Sequence, residues 1–100
     1  MMLAETNDAG EVVSTLTYGA TDDGIFVALV ETTPEYRRQG CATRLIRRLE
    51  ALYPGERFYG YVTQENLASL TMVRAMGADV RDVEGQRGRR LRMMVAEKRG

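Results

Sequence analysis

The chain has 100 residues, 44% hydrophobic and 28% charged, with ten glycines and two prolines. That is one small domain spanning residues 1–100: too short for two cores, too apolar and mixed in sequence to be disordered. No apolar run approaches the roughly 20 residues of a membrane span, and Met1 to Glu5 lack the basic and apolar segments of a signal peptide, so a soluble, cytoplasmic protein is expected. One cysteine, Cys41, and no histidine exclude an internal disulfide, the usual zinc sites and a histidine-based triad.

The net charge of zero divides unevenly. Residues 1–36 hold seven acids and no base, whereas residues 37–100 hold fourteen bases and seven acids. The halves should attract each other, and the basic half suits an anion.

Met1 to Thr6 reads as a short strand, closed by a turn at Asn7 to Gly10. Glu11 to Tyr18 is rich in β-branched residues and places Val12, Leu16 and Tyr18 on one face. Gly19 and the Thr21 to Gly24 cluster turn the chain again. Ile25 to Val30 is then continuously apolar, the pattern of a central strand buried on both faces. These three strands make an antiparallel meander.

After Pro34 the period becomes helical. Ala42, Leu45, Ile46, Leu49, Leu52 and Tyr53 form an inner face within Cys41 to Tyr53, with Arg44, Arg47, Arg48 and Glu50 outside. Pro54-Gly55 ends this helix, and Arg57 to Thr63 has strand composition. A helix between two such strands implies a parallel crossover. Asn66 is a good N-cap for a second helix carrying Leu67, Leu70, Val73 and Met76, which Gly77 ends. Ala78 to Val83 and the alternation of Leu91, Met93 and Val95 form a closing hairpin around a loop at Gly85 to Gly88. The fold class is α+β.

Chemistry concentrates where the central strand meets the first helix, in Thr32-Thr33-Pro34-Glu35-Tyr36-Arg37-Arg38-Gln39-Gly40-Cys41-Ala42-Thr43. Free N–H groups and the positive end of the helix dipole converge there. Gly40 and Ala42 let a phosphate approach the main chain, and Arg37 and Arg38 add charge. The same residues equally describe an ordinary helix start with solvated arginines.

Arg37, Gly40 and Ala42, followed by an amphipathic helix and then by Asn66 and Met76-Gly77-Ala78, resemble the acetyl-CoA-binding motif of the GNAT superfamily of N-acetyltransferases. The resemblance covers roughly residues 11–96 and implies a GNAT-like fold with acetyl-CoA as co-substrate. Backbone groups at Thr32 would then pair with the pantetheine arm. The turn from Arg37 to Thr43 would hold the pyrophosphate, mainly through N–H groups of Arg38, Gln39, Gly40, Cys41 and Ala42. Asn66 would contact the pantetheine or orient its loop. The thioester would emerge where the central strand and Arg57–Thr63 splay apart, for direct attack by an amine on a small molecule or peptide.

Three departures from the family pattern bear on function. The family's first strand and two helices, which build much of the acceptor site, are lacking, and an apolar sheet face left bare implies a homodimer. Val73 stands where many members carry a proton-donating tyrosine, and Phe26 and Tyr61 stand where a glutamate base is common. Glu31, Tyr59, Tyr61, Cys41 and Tyr36 are possible substitutes, each more simply explained by solvation or packing, so no catalytic residue is assigned. The alternative is a non-catalytic CoA-binding or protein-interaction module. Arg87, Arg89, Arg90 and Arg92 form a basic cluster without interleaved aromatics, which makes nucleic acid an unfavoured partner.

Overall fold

The computed structural model describes residues 1–84 and 92–100. The Gly85 to Gly88 loop, Leu91, and Arg87, Arg89 and Arg90 of the basic cluster lie outside the described residues. Strands β1 (Met2–Thr6), β2 (Val12–Thr21) and β3 (Gly24–Thr32) are followed by helix α1 (Cys41–Leu52) and strand β4 (Arg57–Thr63). Helix α2 (Leu67–Ala75) and strands β5 (Asp79–Asp82) and β6 (Met93–Arg99) complete the chain. The six strands form one sheet in the order β1-β2-β3-β4-β6-β5. The expected meander is present, with β1–β2 and β2–β3 antiparallel, and β3 pairs parallel to β4 across the α1 crossover. The closing strands pair as expected, but β6 inserts between β4 and β5, leaving short, charged β5 at the edge.

The core lies between α1 and the first four strands. Leu16, Tyr18, Ile25 and Phe58 of the sheet meet Leu45 and Leu49 of the helix, with Leu3, Val27, Val30, Ile46 and Tyr53 packed around them. Leu16, Leu45 and Leu49 are wholly buried, which over their combined apolar area is the main reason the helix stays on the sheet. Polar ties reinforce the packing: Arg48 donates to the Ala4 carbonyl at 2.7 Å, and Arg44 pairs with Glu5 at 2.6 Å. Among the described residues Arg44–Glu5 is the one ion pair joining the acidic and basic halves; the others lie within the basic half.

The structure corrects several sequence expectations. Val12 is exposed and Val13 buried instead, because a bulge between Glu5 and Thr6 of β1 shifts the register opposite Val12. Gly19 lies within β2, and the turn itself is Asp22-Asp23. The apolar run of β3 is not buried on both faces: Leu29 is 51% exposed, since β3 pairs with β4 only at Ile25–Phe58 and Phe26–Tyr59 and then diverges. Leu52 is exposed at the end of α1, where Tyr53 packs edge-on against Tyr18 with ring centroids 5.8 Å apart. Glu50, expected on the solvent face, bonds Lys98 of β6 at 2.8 Å and Arg47 at 3.0 Å.

α2 begins as the sequence indicates. The Asn66 side chain accepts from the Ser69 N–H at 3.2 Å. At its other end the Ala78 N–H reaches the Val73 carbonyl and the Gly77 N–H the Arg74 carbonyl, both at 3.0 Å. Gly77 supplies the left-handed residue that this double bond requires, with φ +90°.

Candidate cofactor site and through-sheet cleft

The turn between β3 and α1 is held at both ends. Ser14, buried on β2, donates to the Glu31 carbonyl and meets the Thr32 hydroxyl, each at 2.9 Å, fixing the end of β3. The Thr33 N–H bonds the Val13 carbonyl, and Pro34–Tyr36 make a single 3-10 turn. Tyr36 packs here, its hydroxyl accepting from Asn7 at 3.0 Å. Arg37 folds back, donating from Nε to the Thr32 carbonyl at 3.3 Å.

Beyond Arg37 the backbone becomes unusual. Arg38 is the one described non-glycine residue with positive φ, at 64°, and Gly40 follows at 80° as the N-cap of α1. Alternation of left- and right-handed residues turns successive N–H groups toward one side, a concave anion-binding arrangement. Gly40 offers no side-chain cap. Among the described residues, the N–H groups from Arg38 through Thr43 have no hydrogen-bond partner. A run of bare donors at the positive end of a helix is a ready-made phosphate site. Of the residues singled out in sequence, Arg38, Gln39, Gly40, Cys41, Ala42 and Thr43 thus form one continuous cradle, with Arg37 and Thr32 beside it. Cys41 is buried, its Sγ 3.7 Å from the Tyr36 carbonyl and 3.4 Å from Arg44 Nη2. It fills space beneath the turn and does not line the cleft described next.

Sequence reasoning placed Arg44 on the outer face of the helix, where it is exposed, but missed its partners. Its Nη1 donates to the Gln39 carbonyl at 2.7 Å and its Nε to Glu5 at 2.7 Å. Glu5 raises the already high pKa of this guanidinium. The available signal was spacing: a residue four after Gly40 stands one helical turn along, and its side chain leans toward the N-terminus.

The cleft opens where β3 and β4 part. Gly60 lets the two strands stay close as far as Val27, since a Cβ there would meet the Val27 carbonyl oxygen at 2.9 Å. Past that point lies a cavity of about 320 Å³, walled by β3, β4, Ile46 of α1 and Met72, Val73 and Met76 of α2. Asn66 also lines it, with its side-chain oxygen committed to the helix cap. Val73 contributes only an apolar wall.

Leu29, Tyr59 and Tyr61 line the same cavity from the opposite side of the sheet, because alternate strand residues point to alternate faces. On that face no helix packs among the described residues. Phe26 lies 5.3 Å from Tyr59 and 5.9 Å from Tyr61, centroid to centroid. Tyr59 is fixed by its hydroxyl bond to Thr21 at 2.8 Å and by the Arg57 guanidinium 4.5 Å above its ring. Arg57 also pairs with Glu97 of β6, and this bond, aided by Arg81, holds the Glu97 carboxyl below its usual pKa. Tyr61 is half exposed. Glu31 is exposed at the end of β3. No group of metal-ligating side chains is present among the described residues.

The fold thus joins an apolar cleft between parting parallel strands to a crossover helix whose head carries bare N–H groups. A family model described as acetyltransferase (GNAT) family matches residues 1–78, and the chain belongs to that family. Among solved structures, nourseothricin acetyltransferase is similar at TM-score 0.83 and 16% identity, the match covering 98% of this chain and 64% of that one. A GNAT-family acetyltransferase from Bacillus cereus matches at 0.82 and 19%, covering 98% and 69% respectively. The paia N-acetyltransferase of Thermoplasma acidophilum, in complex with coenzyme A, matches at 0.83 and 15%, covering 100% and 60%. This chain therefore spans about two-thirds of the length of these proteins. A search of curated proteins gave no match. No helix among the described residues is long and apolar enough to cross a membrane.

Proposed function

We propose that residues 1–100 act as one acetyl-CoA-binding domain that transfers an acetyl group to a primary amine by direct attack. The observation that carries this reading is the run of bare N–H groups from Arg38 to Thr43, at the N-terminus of the helix whose Ile46 walls the β3–β4 cleft. The N–H groups would take the pyrophosphate, with Arg37 and Arg38 adding charge. Thr32 would present backbone groups to the pantetheine arm, its carbonyl keeping a second lone pair beside the Arg37 bond. The Asn66 amide would meet the same arm. Acetyl-CoA supplies an activated acetyl group; the chain supplies position, water exclusion by the apolar walls, and backbone N–H groups along β3 to stabilise developing negative charge on oxygen.

The coenzyme A complex of the similar Thermoplasma acidophilum protein supports this cofactor. The acceptor, a small-molecule or peptide amine, would approach from the helix-free face, where Leu29 and Tyr61 are exposed. A second copy of the chain covering that face, in a soluble cytoplasmic homodimer, completes the proposal. Sedimentation as a monomer at all concentrations would remove the dimer.

A second reading, a CoA-binding or protein-interaction module without turnover, is favoured by Val73 and Phe26, which stand where the family pattern carries a proton-donating tyrosine and a glutamate base. Calorimetric titration with acetyl-CoA, followed by turnover assays across an amine and peptide panel, separates the two. Saturable binding with turnover is expected; binding without any turnover selects the CoA-binding module, and absence of binding at millimolar ligand overturns the enzyme reading and leaves the protein-interaction module. Titration with dephospho-CoA shows whether an arginine reads the 3′-phosphate.

A further inference from the structure

We infer that Arg44 is a positioning residue for the phosphate cradle, acting as a brace strung from β1 rather than as a phosphate ligand. The inference rests on the reading of the Arg38–Thr43 turn as the pyrophosphate site. Its starting point is how the guanidinium is spent. Nε and Nη2 both engage Glu5 Oε1, at 2.7 and 2.6 Å. Nη2 also reaches Cys41 Sγ at 3.4 Å, and Nη1 holds the Gln39 carbonyl at 2.7 Å. Little of the donor fork is left for an incoming anion.

What the brace controls follows from the geometry of one peptide unit. The bond between Gln39 and Gly40 is planar and trans, so the Gln39 C=O and the Gly40 N–H point in opposite directions. Holding that oxygen toward Arg44 turns the Gly40 N–H away, to the open side of the turn where its neighbours also lack partners. Gly40 itself cannot enforce this orientation. With φ at +80° and no side chain it is the residue most free to rotate. Glu5, on β1, fixes the guanidinium from beneath, and Arg48 ties the next helical turn to the same strand through the Ala4 carbonyl. The first strand thereby sets an N–H near the phosphates although it contacts none of them.

The sign of one substitution separates a brace from a plain positive charge. Glu5→Gln removes a negative charge close to an anion site, so electrostatics alone predicts tighter binding of acetyl-CoA. A brace predicts the reverse: about threefold weaker binding, because the guanidinium loses its anchor. Arg44→Met should weaken binding about tenfold and raise the KM for acetyl-CoA while leaving kcat at saturation unchanged. Arg44→Lys should not restore it, since one ammonium cannot span the Gln39 carbonyl and Glu5 with a rigid fork. The double variant Arg44→Met with Glu5→Gln should bind no more weakly than Arg44→Met alone.

Calorimetric Kd values for these variants, each checked for folding by circular dichroism, decide the matter. Wild-type-like or tighter binding by Glu5→Gln, or full rescue by Arg44→Lys, overturns the brace while the cradle stands. If the wild-type chain itself fails to bind, the cradle reading falls and the brace falls with it.

Discussion

The head of α1 and the helix-free face of the sheet differ in how their polar groups are settled. Around the cradle, side chains are tied down while main-chain donors are left bare: Arg37 to Thr32, Gln39 to Glu35, Arg44 to Glu5 and Gln39, Tyr36 to Asn7. On the other face the main chain is largely consumed by strand pairing, and what remains is aromatic and apolar surface around Phe26, Tyr59 and Tyr61. The bare donors of the first arrangement all lie within six consecutive residues, with Glu5 and Asn7 bracing it from the N-terminal part of the chain. The second acquires meaning only when something sits on it. Under the proposed function, the backbone-built turn would serve the cofactor and the exposed side chains of the other face would meet the acceptor.

The largest effect should come from the element that supports the cradle and walls the cleft. Leu45 is wholly buried on α1, and Leu45→Ala should cost about 2–5 kcal/mol and lower the melting midpoint by on the order of 10–20 °C. If thermal unfolding moves by only a degree or two, α1 is not the keystone that its packing implies. Next is Gly40→Glu, which sets a side chain at φ +80° against Arg44 and would place a carboxylate at the proposed phosphate site. Strain and repulsion together should weaken acetyl-CoA binding roughly 100-fold or more in a chain that still shows native circular dichroism. Binding within threefold of wild type would detach the cofactor from this turn.

Tyr61→Ala reads the other region. It should raise the acceptor KM roughly fivefold, by loss of half-exposed aromatic surface, and leave the Kd for acetyl-CoA unchanged. A change in cofactor affinity of the same size would mean that the two regions are one site, and the contrast drawn between them would collapse.

The cradle was legible in sequence because it is local. Arg37, Gly40 and Ala42 sit within one turn, and the helix that follows announces itself by period. Asn66 and Gly77 were legible for the same reason, each acting on a helix end within four residues. Apart from the placement of the Asp22-Asp23 turn and the exposure of Leu52, the misreadings are non-local. Val12 yields to Val13 because of a bulge registered against β1, and the exposure of Leu29 follows from where β4 leaves β3. The insertion of β6 beside β4 is a choice among strand edges that alternation along β6 does not encode. Arg44 does lie on the exposed face as read, but its pairing was not legible because its partner, Glu5, lies on another element 39 residues away.

The smallest expected effect tests the polar frame beneath the aromatic face. Glu97 bonds Arg57, which covers Tyr59, and a second arginine, Arg81, stands 3.7 Å from its other oxygen. These partners hold the folded-state pKa below the ordinary 4.5. A depressed carboxylate pKa means that the unfolded chain binds the proton more readily, so the pair's contribution is fully present above about pH 4.5 and is lost as pH falls through the folded value. Glu97→Gln should flatten that part of the acid limb of the stability curve and leave stability nearly constant there. It should also loosen Arg57 from the Tyr59 ring, so acceptor KM should rise slightly while acetyl-CoA binding holds. Denaturant unfolding of both chains between pH 3 and pH 7 is the measurement. Parallel acid limbs would mean that Arg57 and Glu97 are neighbours without consequence, and that Tyr59 is held by Thr21 alone.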